Sequence, residues 1–130
     1  SDVYKRQALK DTYDMAYPGP CMHEFVMTLD RLHKETGVSA LDIAKGLLDN
    51  GIHPPTMYFP LIVHEALMVE PTETESKATM DEAIAVFRSL ARLAHEDPDA
   101  LHTAPHNTPV RRLDEVQAAR NPVLRAALAE

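Results

Sequence analysis

The groups able to do chemistry here are seven histidines, scattered carboxylates and two proline loops that carry threonine. The histidine spacings are tested first against metal ligation. HEFVM, from His23, and HEALM, from His64, begin like the helical zinc motif H-E-x-x-H. Each has Met where the second histidine must stand, in sequence that reads as strand. His102 and His106 are four apart, but Pro105 spoils the helix that would bring them to one face. No metal site is expected. No G-x-S-x-G elbow offers a serine nucleophile, and the four glycines, at 19, 37, 46 and 51, spell no phosphate-cradling loop. None of the five lysines, at 5, 10, 34, 45 and 77, sits in the apolar, glycine-flanked setting that readies an amine for a Schiff base. Cys21, the single cysteine, follows Gly-Pro and reads as a small packed residue. It leaves no partner for an internal disulfide, which suits a reducing cytoplasm.

What remains is the pair HPPT (53–56) and EPTETES (70–76). Each loop stands at the end of an extended segment and sets a threonine beside a proline. For the second, turn chemistry suffices, with Thr72, Thr74 or Ser76 capping the helix that follows. It does not explain why His53 is held between a helix stop and two prolines. That loop is either a connector or a rigid platform that presents His53 and Thr56 to a ligand.

The elements behind these loops can be read from composition and periodicity. A chain of 130 residues with 45% hydrophobic and 25% charged residues suits one globular domain with a real core. A net charge of −7 without a dense Lys/Arg run argues against a nucleic-acid partner. The longest apolar run, Leu61 to Val69, is broken by His64 and Glu65, so no membrane helix is expected. Residues 8–16 read as the end of a helix, and YPGP (17–20) as a loop. CMHEFVMTL (21–29) alternates as a strand with His23, Phe25, Met27 and Leu29 on its buried face. TGVSALDIAKGLLDNG is the clearest helix, with Ser39 and Asp42 as a capping box, Leu41, Ala44, Leu47 and Leu48 as its stripe, and Gly51 beyond its end. MYFPLIV and ALMVEP read as two extended segments joined near His64 and Glu65, with Pro60 at a sheet edge or bulge. A long helix follows TETESKATM, its stripe being Ala83, Ile84, Phe87, Leu90, Ala91 and Ala94, and Pro98 ends it. DPDALHTAPHNTPVRRL reads as irregular and LDEVQAARN as a short last helix. The sum is an α+β domain with a small antiparallel or mixed sheet and flanking helices.

Three stretches carry a resemblance: GPCMHEFV, KETGVSALDIAKGLLDNGIHPPTMYFPLIVHEALMVEPTETESK and APHNTPVRRLDEVQAARNPVLR. They closely resemble the C-terminal part of the glycine cleavage system P-protein (glycine dehydrogenase, decarboxylating), in particular subunit 2 of the two-subunit prokaryotic form. The likeness runs from about Tyr17 to Arg125. It implies the small C-terminal domain of a fold-type-I, aminotransferase-like enzyme that depends on pyridoxal 5'-phosphate. Such an enzyme decarboxylates glycine and passes the aminomethyl group to the lipoyl arm of H-protein. The cofactor would be bound mainly by a large domain missing upstream, together with its lysine, so no catalytic residue is assigned to this chain. The implied assembly is a cytoplasmic heterotetramer of two plus two with P-protein subunit 1.

By the same resemblance His53, Thr56, Glu70, Thr72 and Glu73 lie at the mouth of the glycine channel. Arg111 and Arg112 either dock the tail on acidic groups of the large domain or the partner subunit, or belong to a solvated charged face. Two departures stand out: His64 where the family expects Pro, and a tail that runs on as AALAE. Residues 1–7, SDVYKRQ, join no later pattern. Back-translated, DVYKRQ resembles the end of a transposase adapter, so this stretch is expected to be foreign to the gene, the alternative being a native helix start. Residues 8–130 are then the C-terminal fragment, inactive alone. The competing expectation is a free-standing α+β interaction or ligand-binding module without catalytic activity.

Overall fold

The computed structural model describes residues 2–19, 23–72 and 74–125. In chain order these form α1 (Asp2–Leu9), β1 (Asp14–Met15), β2 (Phe25–Thr28), α2 (Asp30–Thr36), α3 (Ala40–Asp49), β3 (Thr56–Met57), β4 (Ala66–Val69), α4 (Lys77–Glu96), α5 (Pro98–His102) and α6 (Glu115–Arg120). The four strands make one antiparallel sheet in the order β1-β2-β4-β3. Phe25 stands opposite Val69 and Thr28 opposite Ala66, while Thr56 stands opposite Met68. The small α+β architecture read from the sequence is therefore what forms.

Phe25, Met27 and Leu29 join the core, as the alternation in β2 requires. Val26, on the other side, is buried too, and His23 is exposed ahead of the strand. The core joins these residues and Leu67 to Ile43 and Leu47 of α3 and to Ile84, Phe87, Leu90, Ala91 and Ala94 of α4. Tyr13 lies inside it, edge-on to Phe87 and donating its hydroxyl proton to the Phe87 carbonyl at 2.6 Å. Burial in this apolar setting pushes the Tyr13 phenol up from its ordinary value.

Helix α3 starts as its sequence demands. The Ser39 hydroxyl accepts the Asp42 N–H at 3.2 Å, and the Asp42 carboxylate accepts the Ser39 N–H at 2.9 Å. Its far end is closed by Gly51 in the left-handed region, at φ 72°. Gly46 is set by packing. A Cβ there would lie 2.9 Å from a Leu90 methyl and 3.0 Å from a Leu101 methyl, so glycine lets α3 settle against α4 and α5. For α4, Ser76 is the residue that caps, accepting the Thr79 N–H at 3.1 Å.

Several expectations need correction. Residues 8–16 are only partly helical, because α1 ends at Leu9 and β1 follows. Residues 30–36 form α2, which periodicity could not reveal since Leu32 is its one buried residue. MYFPLIV is mostly loop. Tyr58 (φ 55°) turns the chain out of β3 and Glu65 (φ 49°) returns it to β4, conformations that cost a non-glycine residue about 1–2 kcal/mol each. The segment after Pro98 contains the short α5, with Asp97 capping it. Helix α1, which includes residues 2–7, packs on α4. Among the described residues no helix is long and apolar enough to cross a membrane.

Candidate functional site

The two proline loops meet. Antiparallel pairing of Thr56 with Met68 carries HPPT, which runs into the start of β3, alongside Glu70, just after β4. The start of α4 closes the other side of a groove of about 520 Å³. His53, Thr56, Glu70 and Thr72, singled out from sequence, all line it. Glu73 lies outside the described residues, as does Cys21.

The loops are held by features legible in their sequence. Gly51 turns the chain out of α3, and Pro54 and Pro55 then fix their own φ. On the facing loop Pro71 is buried, anchoring the segment between Glu70 and Thr72. His53, Thr56 and Glu70 make no side-chain hydrogen bond to another described residue, which leaves their polar atoms to the groove. Thr72 instead shares a hydroxyl contact of 3.0 Å with Thr74.

Sequence reasoning missed the third wall. Thr79 and Glu82 line the groove from the start of α4, three residues apart on one helical face, and Glu75 lines it from just ahead of the Ser76 cap. That spacing was visible, but it reads as an ordinary solvated face until the two loops are set beside it. Lys5, from α1, also lines the groove and is largely buried. The groove therefore offers an imidazole and a hydroxyl on one side and the carboxylates Glu70, Glu75 and Glu82 on the others. Proton donors suit a carboxylate, and carboxylates suit an ammonium group.

The arginines behave differently from each other. Arg111 is exposed. Arg112, expected to pair outside the domain, turns inward, with Nη2 2.7 Å from Asp42 Oδ1 and 2.9 Å from the Leu101 carbonyl, and Nε 2.7 Å from the Ala104 carbonyl. Its partner sits seventy positions earlier, in the first turn of α3, so no local pattern pointed to it. His102 and His106 also face aspartates of α3. His102 Nδ1 is 3.0 Å from Asp42 at its start, and His106 Nδ1 is 3.1 Å from Asp49 at its end. Among the described residues no cluster of His, Cys, Asp and Glu could hold a metal.

Pyridoxal phosphate does not fit the residues of this groove. Its phosphate would face Glu70, Glu75 and Glu82 with Lys5 as the one fixed cation lining the site. Among the described residues Gly51 is the one glycine that lines it, so no run of glycine N–H groups is there to cradle a phosphate. Lys34 and Lys77 are paired with Asp30 at 2.6 Å and Asp81 at 2.7 Å.

Comparison with known proteins places the chain. The family described as glycine dehydrogenase, C-terminal domain, matches residues 1–108. A relative from Treponema denticola named probable glycine dehydrogenase (decarboxylating) subunit 2 is 60% identical over 122 residues, which cover 94% of this chain and 25% of the relative. Relatives of the same name are 59% identical in Thermosipho africanus (94% of this chain, 25% of the relative) and 53% identical in Thermotoga maritima (94% and 26%). The chain thus spans about a quarter of the length of the relatives it matches. On these matches, the chain belongs to the glycine dehydrogenase C-terminal domain family.

Proposed function

We propose that this chain serves as the C-terminal domain of a glycine dehydrogenase (decarboxylating) subunit 2, and that its groove guides glycine at the mouth of the active site. The observation that carries the activity is the 60% identity over 94% of the chain to a relative of that name. The groove adds a chemical reason, since His53 and Thr56 suit the glycine carboxylate while Glu70, with Glu75 and Glu82, suits its ammonium group. Thr72, and Glu73 beside it, would order the second loop, and the buried Pro71 holds that loop against the domain.

Pyridoxal phosphate belongs to the rest of the polypeptide in this reading, and no residue here takes part in its chemistry. The full enzyme would work in the cytoplasm with P-protein subunit 1 in a two-plus-two assembly and deliver the aminomethyl group to lipoylated H-protein. Arg111 would face acidic groups of that assembly. Residues 1–7 are proposed to be foreign to the gene, so Lys5 is given no role.

The reading is tested by replacing the matched C-terminal segment of the Treponema denticola relative with residues 8–130. The hybrid is then assayed, with subunit 1 and lipoylated H-protein, for release of carbon dioxide from labelled glycine. The hybrid is expected to turn over and the 130-residue chain alone to show no release. A folded hybrid that releases none, beside an active parent enzyme, would contradict the assignment.

A further inference from the structure

One part of the surface is used by neither the core nor the groove. Between β3 and β4 the loop Tyr58-Phe59-Pro60-Leu61-Ile62-Val63 carries no charge, and Leu61 and Ile62 are 88% and 84% exposed. Its feet are nevertheless firmly tied. The Tyr58 N–H donates to the Ala66 carbonyl at 2.8 Å, and the Tyr58 hydroxyl accepts the Leu41 N–H at 3.3 Å. The Glu65 carboxylate accepts the Ala40 N–H, and its carbonyl accepts the Leu29 N–H at 2.9 Å. Both feet, Tyr58 and Glu65, hold left-handed backbone that non-glycine residues rarely adopt.

The first turn of α3 organises more than this loop. Ala40 holds Glu65, Leu41 holds Tyr58, and Asp42 holds Arg112, three consecutive residues gripping three other segments. Arg112 brings with it Val110 and Leu113, which are 61% and 68% exposed. Both apolar segments are thus tied to the first turn of α3, the second through the Arg112 side chain, with Arg111, Asp114 and Glu115 as its charged neighbours. A rigid, charge-free surface rimmed by polar groups is the anatomy of the centre of an interface.

We infer that Tyr58, Phe59, Leu61, Ile62, Val110 and Leu113 form the face by which this domain docks on the remaining polypeptide of its own subunit. The argument for that occupant is length. The matched family is a C-terminal domain, and relatives carry about three quarters of their chain outside the matched region. The partner surface is accordingly an apolar cleft on that remainder, and the polar groove stays free of it.

The test compares the isolated chain with the chain grafted into the Treponema denticola relative in place of its matched segment. Hydroxyl-radical labelling is read by mass spectrometry at Phe59, Leu61, Ile62 and Leu113. Grafting is expected to reduce labelling at these residues by about fivefold, as burial at an interface centre would. The double variant Leu61→Glu, Ile62→Glu should restore labelling and lower the graft's melting temperature while leaving that of the isolated chain unchanged. Equal labelling in both settings would overturn the inference. So would an isolated chain that dimerises and becomes monomeric in the double variant, since the occupant is then a second copy. If the first graft does not fold, the Thermotoga maritima relative serves as host, and the same labelling decides. No turnover is needed for this readout, so it stands apart from the glycine assay.

Discussion

Asp42→Ala is expected to destabilise the domain by about 3 kcal/mol, the scale for breaking a buried ion pair and the reciprocal half of a capping box. For a domain of this size that lowers the melting temperature by roughly 10–15 °C. The Asp42 side chain is 6% exposed and holds the Ser39 N–H, His102 Nδ1 and Arg112 at once. Removing it breaks the half of the α3 capping box that holds the Ser39 N–H, and leaves Arg112 with the Leu101 and Ala104 carbonyls but no counter-charge. The pH dependence follows from the same contacts. Burial pushes the Asp42 carboxyl up, yet the Ser39 and Arg112 hydrogen bonds outweigh it and hold the group below its ordinary 3.8.

The folded protein therefore binds this proton less readily than the unfolded chain. The stabilisation is complete above the ordinary value and is lost as pH falls through the depressed one. Asp42→Asn should remove that part of the acid sensitivity, so its melting temperature should vary less than that of the unaltered chain between about pH 5 and pH 2. Thermal melts at stepped pH check this. Equal acid sensitivity of the two proteins would contradict the network.

Leu47→Ala is expected to cost about 2–5 kcal/mol, and Leu48→Ala roughly 1 kcal/mol. The two leucines are adjacent on the same apolar stripe, and from periodicity alone they are equivalent. Packing separates them: Leu47 is fully buried in the core, whereas Leu48 is half-buried and outside it. The close approach at Gly46 leaves α3 no freedom to shift into the space that Leu47 would vacate, so the cavity remains. Urea denaturation of both variants measures the difference. Equal costs would mean that α3 is rotated from the orientation described here.

What could be read in advance was local. Ser39, Asp42 and Gly51 bracket α3 with side-chain and backbone chemistry that acts within a few residues. The stripe of α4 repeats often enough to be unmistakable. The loops HPPT and EPTETES announced themselves by prolines, and four of the five groove residues chosen from them are placed together in the groove. What escaped notice depends on distant partners. Helix α2 buries a single leucine, and Tyr58 and Glu65 leave the extended region because contacts to α3, Leu29 and Ala66 hold them there. Arg112 turns inward toward a carboxylate whose capping role alone was legible. The α4 wall of the groove became a wall only through the sheet register that sets Glu70 beside HPPT.

The most direct test of the groove as a glycine channel is the steady-state kinetics of His53→Ala and Thr56→Ala in the hybrid enzyme with its partner subunit. Each variant loses a hydrogen bond to a charged carboxylate, so the account expects KM for glycine to rise roughly tenfold or more. The melting temperature should hold, because both residues are exposed and make no side-chain bond within the described chain. An unchanged KM in both folded variants would remove His53 and Thr56 from the path of the substrate and contradict the account.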